Sequence, residues 1–99
     1  ELVAVAIHYV DRPHWFIDGR SLAQWGRNAF HLDISITDET NTKAEKARYL
    51  QRMHAELSAL IGEVHETSYI HVIDARAAAY GYGGLTQEQR YQAARIAAA

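Results

Sequence analysis

The chain of 99 residues contains no cysteine, which excludes a disulfide scaffold, a thiolate nucleophile and a zinc knuckle. It also has no basic cluster, since 10 lysines and arginines stand against 12 aspartates and glutamates. We therefore expect no nucleic-acid partner. No apolar run approaches the length of a membrane span and no signal peptide is visible at Glu1, so we expect no membrane partner. The absence of cysteine is compatible with a reducing cytosol, and we expect a cytoplasmic protein.

What the chain does contain is the composition of a globular domain, with 48% hydrophobic and 22% charged residues. This balance excludes a disordered tail or a collagen-like repeat. A chain of this size buries only about two-thirds of its unfolded surface. We therefore expect it to gain stability from partner subunits.

The first third of the sequence predicts a buried strand and a turn. Residues 2–9 are rich in β-branched side chains and too few for a typical helix. Pro13 ends this pattern because it has no N–H for a strand ladder, and an aromatic and glycine-containing turn follows at residues 14–19. Residues 21–28 fit either a helical turn or a loop. Because the chain has no initiator methionine and enters a strand at once, we expect it to be the C-terminal part of something longer.

The rest of the sequence predicts a strand, a helix, a strand, a hairpin and a second helix. Leu32, Ile34 and Ile36 alternate with polar residues, as in a strand with one apolar face. Thr42 and Glu45 have capping-box spacing and predict a helix from about 43 to 61, with one stripe formed by Ala47, Leu50, His54, Leu57 and Ile61. Residues 68–73 predict the next strand, parallel to the previous one across a right-handed crossover. A glycine-rich hairpin at 80–84 and a second capping box at 86–89 complete the order.

This order resembles the 4-oxalocrotonate tautomerase superfamily, whose unit is one βαβ motif and a short hairpin. The likeness is carried by residues 30–37, 42–62, 68–72 and 80–84, and residues 2–19 resemble the closing strand and hairpin of a preceding unit. The chain looks most like a fused member, with residues 1–29 ending a first, truncated βαβ unit. Residues 30–99 would then form a second unit with its hairpin and C-terminal helix. The resemblance implies an α+β fold with a mixed sheet, helices on one face, and assembly through the hairpins into a homotrimer or hexamer.

The family resemblance also implies an isomerase, a tautomerase that moves a proton next to the carbonyl of a small 2-oxo or enol acid without a cofactor. The family base is an N-terminal proline, whose secondary amine loses its proton readily in an apolar pocket. Residue 1 here is Glu1, and Phe30 occupies the matching position of the second unit. The resemblance therefore places the base upstream, on a strand and helix of roughly 35 to 40 residues.

The candidate site residues follow from the same resemblance. Tyr69 stands where relatives carry an arginine, and its phenol can donate a hydrogen bond to an enolate oxygen; packing at a subunit interface is the alternative. Thr40 and Asn41 lie in the loop where relatives bind substrate through an arginine, although Asn41 also fits a capping role. Trp15 and Tyr80 match an aromatic wall of the substrate pocket or, alternatively, packing between subunits. Among Arg12, Arg20 and Arg27, which surround the first hairpin, Arg20 is the candidate for anion binding.

The spacing of the six histidines predicts no metal site, because no pair has HExxH-like helical spacing.

Two other interpretations are compatible with the sequence. The chain could be a non-catalytic oligomerising or small-ligand-binding module of the same fold. It could also be an unrelated ferredoxin-like domain, which would form a dimer rather than a threefold assembly.

Overall fold

The computed structural model describes residues 4–37 and 41–98. These residues form an α+β structure with three α-helices and three small, two-stranded sheets. The strands described do not join into the one mixed sheet expected from the sequence. Each of the three sheets instead holds a single pair of strands.

The predicted opening strand is wrong for the part of it that is described. Residues 4–10 carry no regular secondary structure, and their apolar side chains face solvent, with Tyr9 92% and Val5 77% exposed. No described strand pairs with this segment, and a strand without a partner leaves its backbone N–H and C=O groups without a ladder. Leu2 and Val3 lie outside the described residues.

The turn predicted after Pro13 is a hairpin. A 3-10 turn, Arg12–His14, leads into strands β1 (Phe16–Ile17) and β2 (Arg20–Ser21), which pair antiparallel. Asp18 and Gly19 connect them with positive φ angles of 51° and 74°, as tight hairpin turns require. A short helix α1 (Leu22–Trp25) follows, so the helical alternative holds at residues 21–28. Its start is capped by a reciprocal pair of bonds between Ser21 and Gln24.

The central βαβ unit agrees with the sequence prediction. Strands β3 (His31–Thr37) and β4 (Tyr69–Ala75) run parallel, with His31 opposite Tyr69 and Thr37 opposite Ala75. Helix α2 (Lys43–Ile61) connects them. The alternation in β3 is confirmed, because Leu32, Ile34 and Ile36 are half-buried whereas His31, Asp33 and Ser35 are exposed.

Helix α2 begins at the predicted capping box. The Glu45 N–H donates to Thr42 Oγ1 at 3.1 Å, and the Thr42 N–H donates to Glu45 Oε1 at 2.8 Å. The predicted stripe is half right, since Leu50, His54 and Leu57 are half-buried while Ala47 and Ile61 are exposed.

The C-terminal part also follows its prediction. Strands β5 (Gly81–Tyr82) and β6 (Leu85–Thr86) form an antiparallel hairpin. Helix α3 (Gln87–Ala98) begins directly afterwards. The Gln89 N–H donates to Thr86 Oγ1 at 3.0 Å and the Thr86 N–H donates to Gln89 Oε1 at 2.8 Å, which completes the second capping box.

The first hairpin is joined to the βαβ unit through Asn28. The Asn28 side chain accepts two bonds from Arg12 and donates one to the Gly62 carbonyl at the end of α2. Its backbone bonds both Glu63 and His65. This residue therefore links three segments that are far apart in sequence.

The described residues contain little apolar core. Leu22, 2% exposed, is the one apolar side chain among them that is buried. The radius of gyration is 17.7 Å, whereas a compact domain of this length has a value of about 13 Å. Within the described ranges, none of the helices combines the length and the apolar character needed to cross a membrane.

Candidate functional site

One group of candidate residues lies at the C-terminal end of β3, where the second hairpin docks. The half-buried Tyr80 directs its hydroxyl to Thr37 Oγ1, at 2.5 Å. The Tyr80 carbonyl accepts the Gln87 N–H at 2.8 Å, which connects the residue to the first turn of α3. Tyr80 is therefore held from both sides, with its phenol at the strand end.

A cavity of about 100 Å³ opens near the same end, between the sheet and the first turns of α2. Its floor consists of the apolar side chains of Ile34, Ile36 and Val72, and the other lining residues are Asn41, Glu45, Lys46 and Tyr49. This volume suits a small ligand of a few heavy atoms or about three water molecules. Thr40 lies outside the described residues.

The charges around this cavity are already compensated. Lys46 Nζ lies 2.9 Å from both carboxylate oxygens of Asp74 on β4. The hydrogen bonds from the Thr42 backbone and side chain hold the pKa of Glu45 below its ordinary value. A carboxylate ligand would have to compete with Asp74 for Lys46, so this cavity favours neutral or mostly apolar molecules.

Tyr69 lies at the opposite, N-terminal end of the sheet. It is the first residue of β4, pairs with His31 and is 64% exposed. The rings of Tyr69 and His31 are 6.3 Å apart. The phenol is therefore accessible to a ligand or to another chain.

Arg20 and Trp15 belong to the first hairpin and its flank. The Arg20 guanidinium lies over the Trp25 ring, 4.2 Å from its centroid, and donates to the Gln24 carbonyl at 3.4 Å. Trp25 in turn contacts His65, with ring centroids 4.7 Å apart. Arg20 is exposed and aligned by an aromatic face, which suits an anion-binding group. Trp15 is half-buried, and its carbonyl accepts the Leu22 N–H at 2.8 Å.

The candidate residues therefore lie in three places rather than in one site. Arg20 and Trp15 belong to the first hairpin and its flank. Asn41 and Tyr80 lie at the C-terminal end of β3, and Tyr69 lies at the other end of the sheet. The six steps between His31 and Thr37 correspond to about 20 Å of extended strand. Within one chain, no single small molecule would contact both Tyr69 and Tyr80.

Comparison with protein-family models, curated proteins and solved structures finds no match for this chain. Its function must therefore be argued from its own residues.

Phe30, which the tautomerase resemblance aligns with the family's N-terminal proline, has no basic nitrogen. Its backbone N–H donates to Ser68 Oγ at 3.2 Å, and its ring lies 5.3 Å from the ring of His54. An amide nitrogen does not take a proton near neutral pH, because its lone pair is delocalised into the carbonyl group. The described residues also hold no cluster of three or more histidine or acidic side chains arranged to bind a metal ion.

Sequence reasoning missed two features around these groups. Asn28 carries no motif, and its bonds to Arg12 and Gly62 reach across 16 and 34 residues. The ion pair between Lys46 and Asp74 spans 28 residues. Of these contacts, the sequence offered a signal only for the ion pair, because the predicted parallel pairing of β3 with β4 brings the end of β4 beside the start of α2.

Proposed function

We propose that this chain is part of a tautomerase-like enzyme that transfers a proton next to the carbonyl of a 2-oxo or enol acid. The observation that carries the proposal is the parallel βαβ unit followed by a hairpin whose aromatic residue, Tyr80, docks at the end of β3. The proposed enzyme is cytoplasmic and needs no cofactor.

In the proposed mechanism, the base is an N-terminal proline outside the 99 residues. Phe30 has only an amide nitrogen, so the second unit supplies no amine base at this position. The removed proton would leave an enolate, and a positioned phenol stabilises such an oxygen by donating a hydrogen bond. Tyr69 has the exposure for this role.

The substrate carboxylate would bind to Arg20. Its guanidinium is exposed, carries a full charge and is aligned by the Trp25 ring. Lys46 is the less suitable cation because Asp74 already occupies it. Trp15, Asn41 and Tyr80 would line the apolar and polar walls of the pocket.

The proposal also requires assembly of copies into a homotrimer or hexamer. Tyr69 and Tyr80 lie at opposite ends of one sheet, so a site that contains both has to combine residues from two copies. The small apolar core and the exposed apolar side chains support assembly, because a folded chain normally covers such surface.

The first test is the intact mass and N-terminal sequence of the native protein. A heavier chain that begins with proline supports the mechanism, and a native chain of 11.2 kDa that begins at Glu1 refutes it. The second test is ketonisation of phenylenolpyruvate by the full-length protein, followed by ultraviolet absorbance. Absence of turnover with this and several other 2-oxo acids also refutes the proposal.

Variants then assign the roles of the two main residues. Tyr69→Phe should lower kcat about 100-fold, as removal of one preorganised donor does elsewhere. Arg20→Gln should mainly raise KM, whereas Arg27→Gln, a matched exposed arginine, should leave both parameters unchanged. Equal effects of Arg20→Gln and Arg27→Gln would contradict the role given to Arg20.

A second candidate, a non-catalytic module that binds a small ligand, is favoured by the cavity beneath α2. Its apolar floor and compensated charges fit a small neutral molecule without any catalytic group. Binding of phenol at this cavity, seen as chemical-shift changes at Ile36 and Val72 in a protein without turnover, would support this candidate over the enzyme.

A further inference from the structure

The two hairpins of the chain have the same structure at a constant offset of 65 residues. Strands β1 and β2 pair in the same register as β5 and β6. Two residues with positive φ form each turn, Asp18 and Gly19 in the first hairpin and Gly83 and Gly84 in the second. A helix begins directly after each hairpin, α1 in one case and α3 in the other. The two regions therefore share their order of elements and their turn geometry.

Four hydrogen bonds around the first hairpin recur around the second with the same offset. The first set comprises His14 N–H to the Asp11 carbonyl, Leu22 N–H to the Trp15 carbonyl, Ser21 N–H to Gln24 Oε1 and Gln24 N–H to Ser21 Oγ. The second set comprises Ala79 N–H to the Arg76 carbonyl, Gln87 N–H to the Tyr80 carbonyl, Thr86 N–H to Gln89 Oε1 and Gln89 N–H to Thr86 Oγ1. Agreement of backbone and side-chain bonds at one offset indicates two repeats of a single supersecondary unit.

The same offset relates residues 4–10 to strand β4. The strand ends at Ala75, directly before Arg76, and residues 4–10 end directly before Asp11. In the second repeat this strand pairs with β3 in parallel. Residues 4–10 therefore occupy the position of a strand from a parallel pair, although no described strand pairs with them.

The side chains of residues 4–10 also correspond to a face that a helix covers. At the offset of 65, Val5 and Ile7 match Ile70 and Val72, which are half-buried on β4. Val72 lines the cavity beneath α2. Val5 and Ile7 are instead 77% and 72% exposed. The apolar surface that α2 covers in the second repeat is thus present in the first repeat without its cover.

We infer that residues 4–10 bind a parallel β-strand followed by an amphipathic helix, and that the segment of the same polypeptide preceding residue 1 supplies both. A parallel pair needs a long crossover connection, which is usually a helix. In the second repeat, β3 begins 38 residues before β4 and α2 lies between them. The same spacing places the start of the partner strand about 35 residues before residue 1.

A second copy of the chain fits this role less well than the upstream segment. Such a copy would offer a free edge of β3 to residues 4–10, but its crossover helix α2 already lies over its own sheet, where Lys46 bonds Asp74. The upstream segment supplies strand and helix together, as the second repeat does. The inference rests on the proposed function only for the existence of this segment, and it assigns the segment a binding surface rather than chemistry.

The first experiment is residue-resolved amide hydrogen exchange on the full-length native protein. We expect residues 4–10 to exchange at least about 100-fold more slowly than an unstructured peptide, because a paired strand opens less often than a free segment. Fast and slow amides should also follow the same order as in residues 69–75, since alternate N–H groups of a strand face its partner. Exchange of residues 4–10 at the rate of an unstructured peptide overturns the inference.

A second measurement identifies the source of the partner strand. Isotope-filtered nuclear Overhauser spectra of a mixture of 13C-labelled and unlabelled chains report contacts between copies only. Protected amides at residues 4–10 without contacts from Ile7 in these spectra support a partner from the same chain. Contacts from Ile7 between copies mean that a second copy supplies the partner, and they overturn the inference.

A matched pair of variants tests the burial of Ile7. Ile7→Ser should lower the midpoint of thermal unfolding of the full-length protein by more than about 5 °C at a fixed concentration, because a core side chain is lost. Ile96, on α3, is 75% exposed, and Ile96→Ser should shift the midpoint by less than about 2 °C. If Ile7→Ser does not fold, Ile7→Val and Ile96→Val repeat the comparison, with an expected shift of at least about 2 °C for Ile7→Val. An effect at Ile7 no larger than that at Ile96 overturns the inference.

The outcomes separate this inference from the proposed function. Protected residues 4–10 in a protein without turnover overturn the proposed enzyme and leave the repeat and its upstream partner standing. Turnover by a protein whose residues 4–10 exchange freely supports the enzyme and overturns the inference.

Discussion

Replacing Asn28 with alanine should destabilise the chain by weakening the link between its first hairpin and the βαβ unit. Asn28 Oδ1 accepts from Arg12 Nε at 3.2 Å and from Arg12 Nη2 at 2.9 Å, while Asn28 Nδ2 donates to the Gly62 carbonyl at 2.8 Å. Asn28→Ala removes all three bonds. The backbone bonds of residue 28 to Glu63 and His65 remain, so the substitution tests the side chain alone.

The magnitude follows from where each bond lies. A hydrogen bond contributes about 0.5 to 1.5 kcal/mol net, and a partly buried group left unpaired costs about 1 to 3 kcal/mol. The Arg12 bonds are exposed, so water replaces them and the free energy lost with them lies at the low end of this range. The bond to Gly62 is partly buried, and its loss leaves a helix-terminal carbonyl without this donor. We expect Asn28→Ala to lower the free energy of unfolding by about 2 kcal/mol.

The assay is urea denaturation at one fixed protein concentration, because assembly would make stability depend on concentration. Tryptophan fluorescence is a suitable probe, since the Trp25 ring contacts His65 beside the Asn28 junction. Arg12→Ala serves as the control, because it removes only the exposed bonds, and it should cost less than about 1 kcal/mol. The double variant should cost little more than Asn28→Ala alone, because both changes remove the same pair of bonds.

Two results would refute this reasoning. A loss of less than about 0.5 kcal/mol for Asn28→Ala is what an ordinary surface change produces, and it would mean that the junction does not stabilise the chain. A fully additive double variant would mean that Arg12 and Asn28 act independently, contrary to their contacts.

Three smaller predictions concern the cap of α2 and the second hairpin. Thr42→Ala removes the acceptor of the α2 cap and should cost about 1 kcal/mol in urea denaturation. The pKa of Glu45 is lowered in the folded chain, so the ionised carboxylate stabilises the fold above pH 4.5 and this contribution is lost as the pH falls. The difference in the free energy of unfolding between wild type and Glu45→Gln should therefore shrink as the pH is lowered below 4.5. Gly81→Ala would bring a Cβ within 1.8 Å of the Leu85 carbonyl oxygen, and it should lower the midpoint of thermal unfolding because the hairpin backbone has to move.

Most of the elements that the sequence predicted correctly carry a signal in neighbouring residues of the chain. The Thr42 and Thr86 capping boxes are recognisable from spacing alone because their partners are local. The boundaries of α2 follow for the same reason. The alternation in β3 is recognisable because successive side chains of a strand point to opposite faces. These local signals fix most of the secondary structure.

The features that sequence missed depend on distant partners. The apolar opening segment reads as a strand, yet residues 4–10 have no described strand to pair with. Strand formation is decided by a ladder partner as much as by the residues themselves. The side-chain bonds of Asn28 span 34 residues to Gly62 and 16 residues to Arg12. The ion pair between Lys46 and Asp74 spans 28 residues. No local sequence pattern predicts these contacts.

The resemblance to one family predicts candidate residues, but it does not show that these residues lie close together within one chain. Tyr69 is the first residue of β4 and Tyr80 bonds the last residue of β3, so the sheet separates them by about 20 Å. A parallel pair makes this separation unavoidable, because both strands start at one end and finish at the other. A site using both tyrosines must therefore form between chains. Catalysis and assembly in this protein are then a single hypothesis: if the chain does not assemble, the tyrosines that chemistry would need never meet.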